Sequence, residues 1–320
     1  MSESYYGFLG LLFSAVVSAS GGVSPERIVT PIQVFTLERA LAGSPLAQSL
    51  QILEMGSDRA AGLWFLARSD DRYSIIGTSA GGQLRLLREL GNSTSAGLAV
   101  TPGAVATVIA EKGNGNRLVR FRPDGTRWSD ITVRCATPGS LHALGERIAS
   151  FCPDGTFESY DESGKASRGE SWARYGTLFR ALSPTELLIL DQSSGQLLHN
   201  DLTTNGLTTL AANPDIQERA GSVAPYGNMK PSNPGEGWAR MVSVQDAAIS
   251  NGGPVYLLLY PYNRNEGALV LVVDRAGNTV ARLRCILPAE FRGAAYKVAA
   301  VSQGLALLST HGEVVIYGFR

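Results

Sequence analysis

The feature that most constrains this chain is a recurring hairpin. Gly113-Asn114-Gly115-Asn116 precedes Arg117–Phe121, and Asp124-Gly125 follows. Asp154-Gly155 precedes Phe157–Tyr160, and Ser163-Gly164 follows. Ser194-Gly195 precedes Gln196–Leu198, with Asn205-Gly206 after it, and Asn265-Glu266-Gly267 precedes Leu269–Val273, with Ala276-Gly277-Asn278 after it. Each reads as strand, tight turn, strand: branched and aromatic side chains suit a pleated surface, while Gly, Asn and Asp supply the turn. Amphipathic helical periodicity is nearly absent. The strands that open these hairpins begin near residues 83, 117, 157, 196, 268 and 313, mostly about 40 residues apart. The interval from 196 to 268 is stretched by a loop over Ala211–Gly237 that carries Pro214, Pro225, Pro231 and Pro234.

A single compact core rarely grows to serve 320 residues. A repeat escapes that limit, because each unit buries its faces against its neighbours. Weak identity between repeats supports one register. Arg134-Cys135-Ala136-Thr137-Pro138 matches Arg284-Cys285-Ile286-Leu287-Pro288, and Gly169-Glu170-Ser171-Trp172-Ala173-Arg174 matches Gly235-Glu236-Gly237-Trp238-Ala239-Arg240. On this pattern the chain resembles the six-bladed β-propeller superfamily, of NHL-like or TolB-like type, over roughly residues 30–320 as one domain. The resemblance implies an all-β, six-bladed β-propeller. The chain stops soon after Glu313–Phe319, one strand short of a full blade. Ile32–Leu37 has no blade of its own and is expected to supply that outer strand and close the ring.

Hydrophobic residues make up 44% and charged residues 18%, and the formal net charge is zero. That is a globular composition with no basic field for nucleic acid. Tyr5–Ser20 is apolar or small and ends in Ser18-Ala19-Ser20, so residues 1–20 resemble a secretory signal peptide. The pattern departs from that type in carrying Glu3 and no Lys or Arg before Arg27. An uncleaved anchor or a first buried strand are the competing readings. The stretch is short for a membrane span, so an extracytoplasmic protein, periplasmic or secreted, is expected, and not an integral membrane protein. Cys135, Cys152 and Cys285 show no metal-ligand spacing. Either an exported chain pairs Cys135 with Cys152 and leaves Cys285 free, or all three are buried thiols.

Catalytic signals are sparse. Gly77-Thr78-Ser79-Ala80-Gly81 fits the G-x-S-x-G nucleophile elbow, but that motif needs alternating strands and helices, which this chain lacks. A glycine-rich hairpin between Tyr73–Thr78 and Gln83–Leu90 is the better reading. His142, His199 and His311 are isolated in the sequence. Some six-bladed propellers are metal-dependent lactonases or esterases built round an axial calcium held by oxygen ligands. That ligand set cannot be matched here, so Ca2+ belongs only to an alternative, hydrolase reading.

The reading favoured is a non-catalytic binding module for a protein or small-molecule ligand, with a structural envelope component as a further alternative. Its candidate site gathers Glu170, Trp172, Arg174, Glu236, Trp238 and Arg240 from the duplicated segment, with Tyr226 and Asn228 from the long loop and Tyr262, Asn263 and Arg264 from the next one. Strand parity places all of these on the face where each outer strand leads into the next inner strand, at the fourth and fifth blades. Trp, Tyr and Arg are the residue types that anchor interfaces. The competing reading is packing, with Trp172 between blades and Glu170 paired to Arg174 across the turn.

Overall fold

Six of the hairpin turns adopt the same four-residue geometry. Gly82, Gly125, Gly155, Gly164, Gly277 and Gly312 each donate their N–H to the carbonyl three residues before, from Ser79, Arg122, Cys152, Asp161, Asp274 and Ser309. Side-chain oxygens of Ser79, Asp161 and Asp274 accept the N–H of the residue that restarts the chain, Gln83, Lys165 and Asn278. These Asx-type contacts mimic a backbone turn and reverse the chain without a longer loop. Glycine is required at two of them for a second reason. A Cβ on Gly82 (φ +76°) would lie 2.4 Å from Phe35, and one on Gly125 (φ +83°) would lie 2.2 Å from Leu86.

The computed structural model describes residues 25–44, 50–58, 62–70, 72–91, 94–101, 105–111, 115–122, 124–135, 141–173, 178–191, 195–210, 212–217, 244–249, 253–260, 265–302 and 304–319. Among them the strands form five four-stranded sheets and one five-stranded sheet. Two N-terminal strands, β1 (Glu26–Val29) and β2 (Pro31–Thr36), come first, followed by a helical turn α1 (Leu37–Ala40). The first full sheet is β3 (Gln51–Ser57), β4 (Leu63–Ser69), β5 (Arg72–Thr78) and β6 (Leu84–Gly91). The second is β7 (Thr94–Val100), β8 (Val105–Glu111), β9 (Gly115–Phe121) and β10 (Arg127–Val133). The third is β11 (Leu141–Leu144), β12 (Arg147–Phe151), β13 (Thr156–Tyr160) and β14 (Ala166–Glu170). The fourth is β15 (Leu178–Ser183), β16 (Glu186–Asp191), β17 (Gln196–Asp201) and β18 (Gly206–Thr209). The fifth is β19 (Val244–Ile249), β20 (Val255–Leu259), β21 (Ala268–Val273) and β22 (Thr279–Cys285), extended by β1. The last is β23 (Ala295–Val301), β24 (Gly304–Ser309) and β25 (Glu313–Gly318), completed by β2.

The strand expected at Ile32–Leu37 thus runs over Pro31–Thr36 and lies antiparallel to β25, with Val34 opposite Val315. Leu37 instead opens α1, capped by the Thr36 hydroxyl, which accepts the Arg39 N–H. The β1 strand was not expected. It pairs in parallel with β22, Ile28 opposite Arg284. The hairpin strand placed near residue 83 is the fourth strand of its sheet and not the third. The third is β5, which lies between β4 and β6 in the sheet.

Burial explains the strand order. The middle strands are covered on both faces and read as near-continuous apolar runs, as in Leu63–Ala67, Val255–Leu259 and Leu305–Leu308. Outer strands need no such run, and all of β18 is exposed. The core divides into clusters that lie between neighbouring sheets. Trp64, Leu66 and Ile75 of the first sheet meet Leu98, Val105 and Val119 of the second. Comparable clusters join the second to the third, the third to the fourth, the fourth to the fifth and the fifth to the last. The last sheet returns to the first through Ala306, Leu308 and Val314 against Ile52, Leu63 and Phe65. At roughly 1.5–3 kcal/mol for each large side chain removed from water, these seams hold the sheets in a closed ring.

A channel stitched between the inner strands

The ring leaves β3, β7, β11, β15, β19 and β23 innermost, each in contact with the next. Between them lies a cavity of about 150 Å³ to which all six contribute. Its wall includes Glu54, Met55, Leu98, His142, Arg180 and Val298. An innermost strand leaves one edge without a ladder partner, and buried backbone groups on such an edge need partners from elsewhere.

Side chains meet that need across the seams. Arg180 on β15 donates from Nε to the Ala247 carbonyl at 2.5 Å and from Nη2 to Asp246 Oδ1 at 2.6 Å. Its Nη1 donates to its neighbour, the Phe179 carbonyl, at 2.8 Å. The other oxygen of Asp246 accepts the Val298 N–H at 2.9 Å. Tyr296 donates its hydroxyl to the Ile52 carbonyl at 2.6 Å, and the Ser57 hydroxyl donates to the Ala300 carbonyl. The fourth, fifth, last and first sheets are thereby tied along the channel. Burial raises the Tyr296 hydroxyl well above the ordinary phenol range, and the negative charges of Asp246 and Glu54 add to the effect. It remains a protonated donor. His142 lies against Phe179, ring centroids 4.0 Å apart, and meets Phe151 edge-on.

Irregularities in the ladders aim some of these groups. The pairing of β3 with β4 shifts between Ile52 and Glu54, that of β19 with β20 between Val244 and Asp246, and that of β23 with β24 between Ala295 and Lys297. A bulge of this kind rotates the residue that follows it. Glu54 and Asp246 occupy equivalent positions after their bulges. Sequence reasoning missed them, together with Arg180. The only signal was an acidic residue set before small ones, as in Asp246-Ala247-Ala248.

No family model and no curated protein matches this chain. Solved structures do. The chain is similar to the WD40 repeats of RRP9, with a TM-score of 0.57 and 10% identity over 92% of this chain and 99% of that one. It is also similar to the β-propeller domain of Myceliophteria thermophila Cps50 (Swd1), with a TM-score of 0.50 and 11% identity over 85% and 98% of the two chains. The fold is a β-propeller. BamB from Moraxella catarrhalis is matched at a TM-score of 0.47 and 12% identity, over 91% of this chain and 100% of that one.

Within the propeller, Glu170 and Trp172 stand at the outer edge and not on the channel wall. Glu170 ends β14, the outermost strand of the third sheet, and its carboxylate accepts Asn205 Nδ2 at 3.3 Å. Trp172 Nε1 donates to the Asn205 carbonyl at 3.0 Å, and its backbone N–H donates to Asn200 Oδ1 at 3.1 Å. Sheet twist is the reason. It lays each outer strand across the ring, so the end of β14 meets the β17–β18 turn of the next sheet. Trp172 remains 44% exposed there. Arg174, Tyr226, Asn228, Glu236, Trp238, Arg240, Tyr262, Asn263 and Arg264 lie outside the described residues.

The serine of Gly77-Thr78-Ser79-Ala80-Gly81 sits in the β5–β6 hairpin. It follows no strand-to-helix turn, so the elbow reading falls. Cys135 and Cys152 are disulfide-bonded, tying the end of the second sheet to a turn of the third. Cys285 is a free, buried thiol, and burial pushes its ionisation well above the ordinary thiol range. Among the described residues no three His, Cys, Asp or Glu side chains group as metal ligands, and no helix is long and apolar enough to cross a membrane.

Proposed function

We propose that this chain is an extracytoplasmic binding propeller of six blades, each sheet being one blade. It holds a protein or small-molecule partner on the face where outer strands lead into inner ones, near the fourth and fifth blades. The observation that carries this reading is Trp172. It is a large exposed aromatic whose ring nitrogen and backbone are both already fixed, by Asn205 and Asn200. An anchor ordered before binding spares the entropy that a loose side chain loses on docking. Arg174, Trp238, Arg240, Tyr226, Asn228, Glu236, Tyr262, Asn263 and Arg264 complete the proposed surface beside Glu170 and Trp172. The Cys135–Cys152 bond supports the compartment, because such bonds persist in oxidising surroundings.

The test uses a partner isolated on the wild-type protein and then purified. Trp172→Ala, and Trp238→Ala with Tyr262→Ala, are expected to weaken its binding about tenfold or more each, as truncating an anchor does. An unchanged Kd for all of them refutes the surface. Cell fractionation and thiol labelling of the native protein test the compartment separately. Recovery in the cytoplasm with three free thiols refutes export.

A further inference from the structure

We infer that the central channel is itself a binding site, for a small organic cation with a compact apolar body, and that Glu54 supplies the counter-charge. Most of the charge around the channel is already spent. Arg180 gives its donors to Asp246, Ala247 and Phe179, and Asp246 is shared between Arg180 and the Val298 N–H. That pair is neutral and occupied. Glu54 lines the same cavity, half-buried, and its carboxylate has no hydrogen-bond or ion-pair partner among the described residues. The bulge before it places it after the irregular step in β3. Lys297 follows the corresponding bulge on the neighbouring β23 but is not part of the cavity wall. His142, the remaining titratable group on the wall, is packed against Phe179.

A carboxylate shielded from bulk water attracts a cation more strongly than one at the surface. The rest of the wall suits the remainder of such a ligand: Met55, Leu98, Leu141 and Val298 are apolar. A cavity of about 150 Å³ holds a molecule of roughly benzene size. The ligand class is therefore a small alkyl or aryl ammonium ion. This site is separate from the exposed face around Trp172, and neither reading depends on the other.

The experiment titrates the full-length protein with n-butylammonium, n-butanol and butyrate, following chemical shifts of the methyl groups of Met55, Leu98 and Val298. Saturable shifts with n-butylammonium, absent or about tenfold weaker with the alcohol and the acid, are expected. Glu54→Gln should lower n-butylammonium affinity about tenfold, and Glu89→Gln, an exposed carboxylate on β6, should leave it unchanged. Ala143→Leu, which fills the channel, should abolish the shifts. Equal binding of the three probes, or no binding by n-butylammonium, overturns the inference. So does an unaltered affinity in Glu54→Gln. Were Glu54→Gln not to fold, the comparison of the three probes on the wild-type protein still decides.

Discussion

Asp246 accepts Arg180 Nη2 at 2.6 Å across the seam between the fourth and fifth sheets. Its second oxygen takes the Val298 N–H of the last sheet, so one buried carboxylate joins three neighbouring units. The backbone donor on β23 would otherwise face the channel unpaired. The pair is therefore a closing device at the inner edge, where strands have no further neighbour to bond.

Removing one member should cost more than removing both. Asp246→Ala leaves the Arg180 guanidinium without its counter-charge and the Val298 N–H without its acceptor, and is expected to destabilise by about 3 kcal/mol or more in urea unfolding. Arg180→Ala added to it should cost less than the sum of the single changes, since the orphaned charge is gone. Strict additivity would show that the two do not interact.

The ring is closed by the N-terminal strands. Deleting residues 26–36 removes β2 from β25 and β1 from β22, and opens two sheet edges. Loss of a cooperative melting transition is expected in calorimetry. An unchanged melting temperature would mean that closure contributes nothing.

The Cys135–Cys152 bond closes a loop over a sequence separation of 17. A loop of that size stabilises by about 3 kcal/mol through the unfolded state. Cys135→Ser should lose about that much in denaturant unfolding. Reductant should lower the wild type to the same level and leave the variant unmoved.

Acid should unfold the protein partly through Glu313. Burial alone would raise its pKa, but the Ser309 hydroxyl and the Arg292 guanidinium outweigh this and hold it below the ordinary value of 4.5. A carboxyl depressed in the folded state stabilises fully above its unfolded pKa. As pH falls below about 4.5 the unfolded chain binds the proton first, and stability drops until the folded group also protonates. Glu313→Gln should be less stable near neutrality and show a flatter acid limb. A limb as steep as that of the wild type would assign the acid transition to other carboxyls.

The sequence by itself determined the local units. Turn chemistry at Gly125, Gly164 and Gly277 and the apolar runs beside them were legible because they depend on residues close in the chain. So was the need for a strand near Ile32–Leu37, since the last unit lacked one. The sequence could equally carry Cys135 and Cys152 as a pair or as thiols, and it left Trp172 either on an exposed face or packed between blades. Tertiary structure decided those points. It brought the cysteines within bonding distance, and sheet twist carried Trp172 outward to Asn205 of the next unit. It also decided the channel. Glu54, Arg180 and Asp246 come from strands far apart in sequence, and they gather around one channel because a ring of sheets turns every first strand toward one axis. Bulges then chose which of their side chains reach it, a backbone adjustment that no spacing of residues along the chain records.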